Sequence, residues 1–277
     1  MGDALNEKAL FHILGPLEVY KPDGEPVDIH QGKPRVLLSL LLLNSNTWVG
    51  IDRICSSLWE DEPPRSASGN IKTYVSQLRH ALPPSLDSFD RIESRRGGYR
   101  INIIPEELDS SIFGRMADRG REELRFGTRE KAIEYFEEAL SLWHGQPFEE
   151  LPADIALAET ARLEEQRWAV WEDLMDARLA LGQPEVVLPT LRALIVEYPL
   201  RERLWGQLLV ALDRSGRRAE ALSAYRTVYD RLANDLGIEP GIDLRRLHHQ
   251  ILSAGNEILT ADNAADPGQP PEQGGRR

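Results

Sequence analysis

The side chains in this 277-residue chain best suited to chemistry are cations, and they are grouped. Arg91 to Ile101 reads RIESRRGGYRI, with Arg95 and Arg96 set against Gly97-Gly98, a dipeptide that permits a tight hairpin turn with positive φ. Upstream, SASGNIKTYVSQLRHAL places Ile71, Tyr74, Val75, Leu78 and Leu82 at helical spacing on one face. Its other face carries Asn70, Lys72, Thr73, Ser76, Gln77, Arg79 and His80. Ammonium and guanidinium groups neutralise phosphates, while short amides and hydroxyls read base edges in a major groove. An arginine at a narrow hairpin tip suits a minor groove or the phosphates beside it. The predicted DNA-contacting set is therefore Asn70, Lys72, Thr73, Ser76, Gln77 and Arg79 on the helix, with Arg95 and Arg96 on the hairpin. Lys33 and Arg35, at the start of an earlier helix, are expected to add phosphate contacts. Tyr99 is expected to pack against its own domain.

The charge balance agrees with this placement. The whole chain carries a formal charge of −12. Residues 1–104 hold 12 Lys/Arg against 13 Asp/Glu, and residues 105–277 hold 21 against 32. Within the first part, residues 65–100 have seven basic side chains and three acidic ones, a basic island in an acidic chain. What matters for nucleic acid is the charge on the docking face, and an overall acidic balance does not exclude it. The loop WEDEPP, with Glu60, Asp61 and Glu62, would repel phosphate; it should point away from DNA and is the candidate contact for a protein partner.

An enzyme is not expected. The six histidines show no H-x-x-x-H or H-E-x-x-H spacing, and neither a G-x-x-x-x-G-K-[ST] loop nor a G-x-G-x-x-G turn is present. No catalytic residue, metal site or cofactor is predicted, and Cys55, the sole cysteine, cannot form an intrachain disulfide. The N-terminus lacks the pattern of a secretory signal. The longest apolar run, VLLSLLLL, is far short of the ~20 residues that span a bilayer. A soluble cytoplasmic protein, associated with the nucleoid through its DNA, is expected.

Positioning these side chains requires a particular order of elements. FHILGPLEVY and EPVDI read as strands around the turn KPDG. PRVLLSLLLLNSN opens a helix with Pro34 at its first turn; VGIDRICSSLWED and the NIKTYVSQLRHAL segment give two more, and FDRIESRRGGYRINI gives the hairpin. Three helices followed by a β-hairpin is the order of a winged helix-turn-helix. Beyond Glu106 the pattern turns helical and repetitive. Gly182 and Gly216 stand 34 residues apart, the period of a tetratricopeptide repeat (TPR). Trp171 and Trp205 precede them by eleven residues and Leu174 and Leu208 by eight; Val187 and Ala221 follow by five. GTREKAIEYFEEALSLW repeats the second-helix pattern from Gly127. Helix pairs that each need a neighbour to bury an apolar face form a short solenoid. The expected architecture is an α+β winged helix-turn-helix over 1–104 and an all-α TPR-like domain over 105–259. A disordered Pro/Gly-rich tail over 260–277 completes it.

LGPLEV, PRVLLSLLLLNSN, SLWEDEPP, NIKTYVSQLRHAL, GGYRI, ELD, ALSLWHGQPFEEL, RLEEQRW and the run from YPLRERLWGQLLVAL through DLGIEPGIDLRRLHHQIL together resemble one family. These are the Streptomyces antibiotic regulatory proteins, activators with an OmpR-type winged helix-turn-helix and a bacterial transcriptional activation domain. The resemblance covers roughly residues 10–253, and the chain looks like the short form of the family. It implies activation of a secondary-metabolite gene cluster through direct repeats near promoters. It also implies recruitment of RNA polymerase holoenzyme through its σ factor, and self-association as a head-to-tail pair on DNA. The third helix would enter the major groove through Asn70 to Arg79, the wing the minor groove through Arg95 and Arg96, and Glu60 to Glu62 would face the polymerase. Two other readings stay open: a TPR-type interaction adaptor, and a ligand-gated repressor whose helical domain holds an effector.

Overall fold

The computed structural model describes residues 9–59, 62–85 and 90–263, with side chains to 253. The chain divides into two compact units, Met1–Leu174 and Met175–Arg277. The first holds the α+β winged helix-turn-helix together with the first helices of the TPR-like region, and the second holds the remaining repeats.

In the first unit, β1 (Phe11–His12) and β2 (Glu18–Val19) pair antiparallel, with Phe11 opposite Val19. FHILGPLEVY was expected as one interrupted strand; instead the chain doubles back at Gly15-Pro16, and EPVDI contributes a single Tyr20–Pro26 bridge. α1 (Lys33–Leu43) carries Pro34 in its first turn, where proline fits because the N–H it lacks would have no helical partner there. It buries Leu37, Leu38, Leu40, Leu41 and Leu42 at the centre of the domain. β3 (Val49–Gly50), α2 (Ile51–Trp59) and α3 (Ala67–Ala81) follow. The hairpin β4 (Ile92–Arg95) and β5 (Gly98–Ile101) joins β3 in a three-stranded sheet ordered β3-β5-β4.

The segment Ile13–Leu17 is held from two sides. The Asp109 carboxylate, fully buried, accepts from the backbone N–H groups of Ile13 (2.8 Å), Leu14 (3.0 Å) and Ser110 (2.7 Å). Burial raises its pKa from 3.8 to about 7, against the pull of those three N–H donors toward the charged form. The amides of His144 and Gly145 donate to Leu14 O, and that of Phe148 donates to Ile13 O. Backbones this close require glycine: a Cβ on Gly15 would lie 3.0 Å from Gly145 N. Arg91, at the foot of the wing, donates to both oxygens of Glu107 at 2.6 and 2.7 Å, with both side chains almost wholly buried. Its remaining N–H groups reach Pro83 O, Pro84 O and Asn102 O. The motif ELD (Glu107 to Asp109) thus fastens the start of the helical region onto the winged domain.

α4 (Asp109–Phe126) and α5 (Arg129–Ser141) form an antiparallel pair in which Gly120 lies against the Phe136 ring. The long α6 (Ala153–Ala180) carries the chain into the second unit. There α7 (Pro184–Glu197), α8 (Glu202–Arg214), α9 (Arg218–Arg231) and α10 (Ile242–Asn263) follow. The 34-residue period appears as geometry: Gly182 and Gly216 end helices with φ of 72° and 70°, a conformation glycine adopts without a Cβ penalty. Trp205 is buried and donates through Nε1 to Pro199 O at 2.8 Å. The tail expected from 260 falls mostly outside the described residues, α10 continuing to Asn263.

Candidate nucleic-acid interface

The interface begins with the two faces of α3. Ile71, Val75 and Leu78 are each about 1 % exposed, and burying a branched aliphatic side chain contributes roughly 1.5–3 kcal/mol. That anchorage fixes what the opposite face presents. Lys72, Thr73, Ser76, Gln77 and His80 are exposed there, and Asn70 is half-buried. The Thr73 hydroxyl donates back to Gly69 O at 3.2 Å and Asn70 Nδ2 donates to Ser66 Oγ at 3.4 Å. Gly69 keeps the helix surface low beside them, with nothing within 4 Å of where its Cβ would be.

Two side chains of this helix differ from expectation. Arg79 turns toward the hairpin: its Nε and Nη2 donate to Ile92 O at 2.9 and 2.7 Å, and Nη2 reaches Ser94 Oγ at 3.3 Å. It ties α3 to the wing and sets their spacing. His80, seen from sequence only as a member of the polar face, pairs its Nδ1 with Ser76 O at 2.6 Å. Because Ser76 O can only accept, Nδ1–H is the donor in that bond, which leaves Nε2 of this exposed side chain unused by it. Its spacing from Ser76 and Thr73, four and seven residues, was the available signal.

The wing is built by its two glycines for different reasons. Gly97 has φ of +89° and makes the turn. Gly98 is buried where a Cβ would lie 2.6 Å from Val49 O, so β5 can approach β3 only without a side chain. Tyr99 is 7 % exposed and sits opposite Val49, as expected of a packing residue. Arg95 is exposed, with its guanidinium 4.4 Å from the centroid of the Trp48 ring; Arg100 lies 4.9 Å from the same centroid and pairs with Glu93 at 2.8 Å. Stacking on indole holds a guanidinium in place while leaving its edge N–H groups available. Arg96, beside the turn, is exposed and makes no hydrogen bond or ion pair among the described residues. Lys72, Thr73, Ser76, Gln77, Arg95 and Arg96 thus stay open to solvent on the two elements that Arg79 joins.

Lys33 and Arg35 do not join this group. The Lys33 ammonium donates to Leu58 O and lies 5.0 Å from the Trp59 ring centroid. Arg35 donates to Leu17 O and forms an ion pair with Glu150 at 2.7 Å, both side chains largely shielded. Glu150 also accepts from Leu17 N at 2.7 Å. Arg35, expected from sequence to contact phosphate, has its charge matched inside the protein by Glu150. Glu60 and Asp61 lie outside the described residues, and Glu62 is exposed at the loop's end.

Residues 24–101 match the family model "Transcriptional regulatory protein, C terminal", and residues 108–252 match "Bacterial transcriptional activator domain". The chain is 36 % identical over 250 residues to the regulatory protein DnrI of Streptomyces peucetius, covering 88 % of this chain and 92 % of DnrI. It is also 36 % identical over 255 residues to the transcriptional regulatory protein EmbR of Mycobacterium tuberculosis, 91 % of this chain but 65 % of that one. The solved structure of M. tuberculosis EmbR in complex with a low-affinity phosphopeptide superposes with a TM-score of 0.78 at 33 % identity, covering 91 % of this chain and 70 % of EmbR. With an OmpR-type winged helix-turn-helix followed by a bacterial transcriptional activation domain, this chain belongs to the Streptomyces antibiotic regulatory protein family of transcriptional regulators.

Proposed function

We propose that the chain activates a secondary-metabolite gene cluster by binding direct repeats near its promoters and recruiting RNA polymerase holoenzyme through the σ factor. Residues 1–104 dock on DNA, residues 105–259 serve protein contacts, and two copies lie head to tail on the repeats. The observation that carries this reading is a pair of exposed polar elements tied to each other. Lys72, Thr73, Ser76 and Gln77 are open on α3, Arg95 and Arg96 are open on the wing, and Arg79 joins the two elements through Ile92 O. α3 lies in the major groove, where Thr73, Ser76 and Gln77 read base edges and Lys72 holds phosphate. Asn70, at the helix start, takes a backbone or base-edge contact. Arg96 enters the adjacent minor groove and Arg95, stacked on Trp48, clasps its phosphates. Glu60, Asp61 and Glu62 face the polymerase.

The test is the salt dependence of binding. Each phosphate contact contributes about −0.9 to the slope of log K against log salt on B-DNA. Arg95→Ala with Arg96→Ala should lower that slope by about one to two and weaken cognate and non-cognate binding together. Gln77→Ala should instead weaken cognate binding selectively, leaving the slope alone. An unchanged slope in the double variant removes the wing from the interface.

A further inference from the structure

The register of the wing sheet places four functional side chains on its outer face. Val49 lies opposite Tyr99, Tyr99 opposite Ser94, and Glu93 opposite Arg100. Side chains alternate along a strand, so Val49, Tyr99 and Ile101 turn inward, where all three are buried. Trp48, immediately before β3, then falls on the outer side with Arg100, Glu93 and Arg95. Arg95 is two strands away from Trp48, and the rest of its row is glycine: it pairs with Gly98, which pairs with Gly50. With no side chain at either glycine, the Arg95 guanidinium reaches to 4.4 Å from the Trp48 ring centroid.

The charges on this face are divided unevenly. Glu93, two residues before Arg95 on β4 and on the same face, is the carboxylate best placed in the strand to neutralise it. Both of its oxygens are taken: Arg100 Nη2 donates to Oε2 and Asn102 Nδ2 to Oε1, each at 2.8 Å. Arg100 shares the Trp48 ring, at 4.9 Å, with its own charge answered by Glu93. Arg95 is exposed and makes no hydrogen bond or ion pair among the described residues, so the indole is what holds it.

We infer that Trp48 is a positioning residue for DNA binding. It holds the Arg95 guanidinium at the wing with its N–H groups free for a phosphate, while Arg100 and Asn102 keep Glu93 from neutralising that charge. An arginine already held against an indole gives up less side-chain freedom on meeting a phosphate than one that swings freely. The role rests on the reading of the wing as a DNA contact, and it belongs to a residue that acts through Arg95.

Fluorescence anisotropy of the full chain with a fluorescein-labelled duplex of mixed sequence tests it, since phosphate contacts do not depend on sequence. Arg95→Ala should weaken binding and lower the salt slope by about 0.9. Trp48→Leu should weaken binding about two- to fivefold in the parent but less than about 1.5-fold where Arg95 is already alanine, because its effect passes through that side chain. Trp48→Phe keeps an aromatic face and should stay within about twofold of the parent. Arg95→Lys, at an exposed position that leaves folding intact even if Trp48→Leu does not fold, keeps the charge without the planar group and should weaken binding about twofold. No effect of Arg95→Ala on affinity or slope would remove the wing from the interface and this role with it. A loss with Arg95→Ala but none with Trp48→Leu would overturn the positioning role alone. So would equal Trp48→Leu losses in both backgrounds, a Trp48→Phe loss as large as that of Trp48→Leu, or an Arg95→Lys variant that binds like the parent.

Discussion

Removing the Glu107 carboxylate should be among the most damaging single changes in the first unit. Arg91 and Glu107 are joined by two hydrogen bonds of 2.6 and 2.7 Å, and their side chains are 4 % and 3 % exposed. In Glu107→Ala the guanidinium keeps the carbonyls of Pro83, Pro84 and Asn102 but loses its counter-charge in a site closed to water. Breaking a buried pair from one side costs about 3–5 kcal/mol, mostly through the stranded charge. At about 2–4 °C per kcal/mol for a domain of this size, the midpoint of thermal unfolding should fall by roughly 6–20 °C. Circular dichroism and tryptophan fluorescence during heating and urea unfolding measure it. Because the pair is shielded, the loss should be nearly the same in high salt. Arg91→Met with Glu107→Leu removes both charges and should recover at least about half of the loss. A Glu107→Ala penalty below about 1 kcal/mol, or one abolished by salt, would refute the view that this ion pair locks the wing to the helical region.

Gly98→Ala should destabilise by about 1–3 kcal/mol and weaken DNA binding, because its Cβ would sit 2.6 Å from Val49 O and part β5 from β3. Urea titration and fluorescence anisotropy report the two effects, and a neutral outcome would contradict the strand packing. Gly120→Ala should likewise cost stability although alanine is the better helix former, since its Cβ would fall 2.4 Å from Phe136 Cε1; a stabilised variant would show that the ring has room. Asp109 holds its proton more tightly folded, at about 7, than unfolded, near 3.8. Its contribution to stability is full below the lower value and is lost as pH rises through the upper one. Asp109→Asn should flatten the fall in melting temperature between about pH 4 and 7, and parallel pH profiles for the two proteins would refute this.

The periodic features of the fold were legible in the sequence because they are local. The 34-residue spacing of Gly182 and Gly216 marks helix ends that need positive φ, and the apolar stripe of α3 fixes which side chains face out. The wing turn was legible from Gly97-Gly98, although the two glycines serve different needs. What local pattern could not reveal is pairing over distance. Asp109 caps Ile13 across 96 residues, and Arg35 meets Glu150 across 115. Asp109 is buried and Arg35 half-buried by partners from another element, and from sequence Arg35 looks like any exposed cation at a helix start. Arg79 was placed on the right face, but its reach back to Ile92 O depends on how the hairpin folds over α3.

Binding of the full chain to direct-repeat promoter DNA, titrated with salt in the presence and absence of RNA polymerase holoenzyme, tests activation by recruitment most directly. Specific binding that weakens steeply with salt and tightens when holoenzyme is present is the expected result, with the tightening lost when Glu60, Asp61 and Glu62 are replaced together by alanine. Binding that excludes holoenzyme would contradict activation and indicate a repressor. Absence of specific binding would contradict the DNA interface itself.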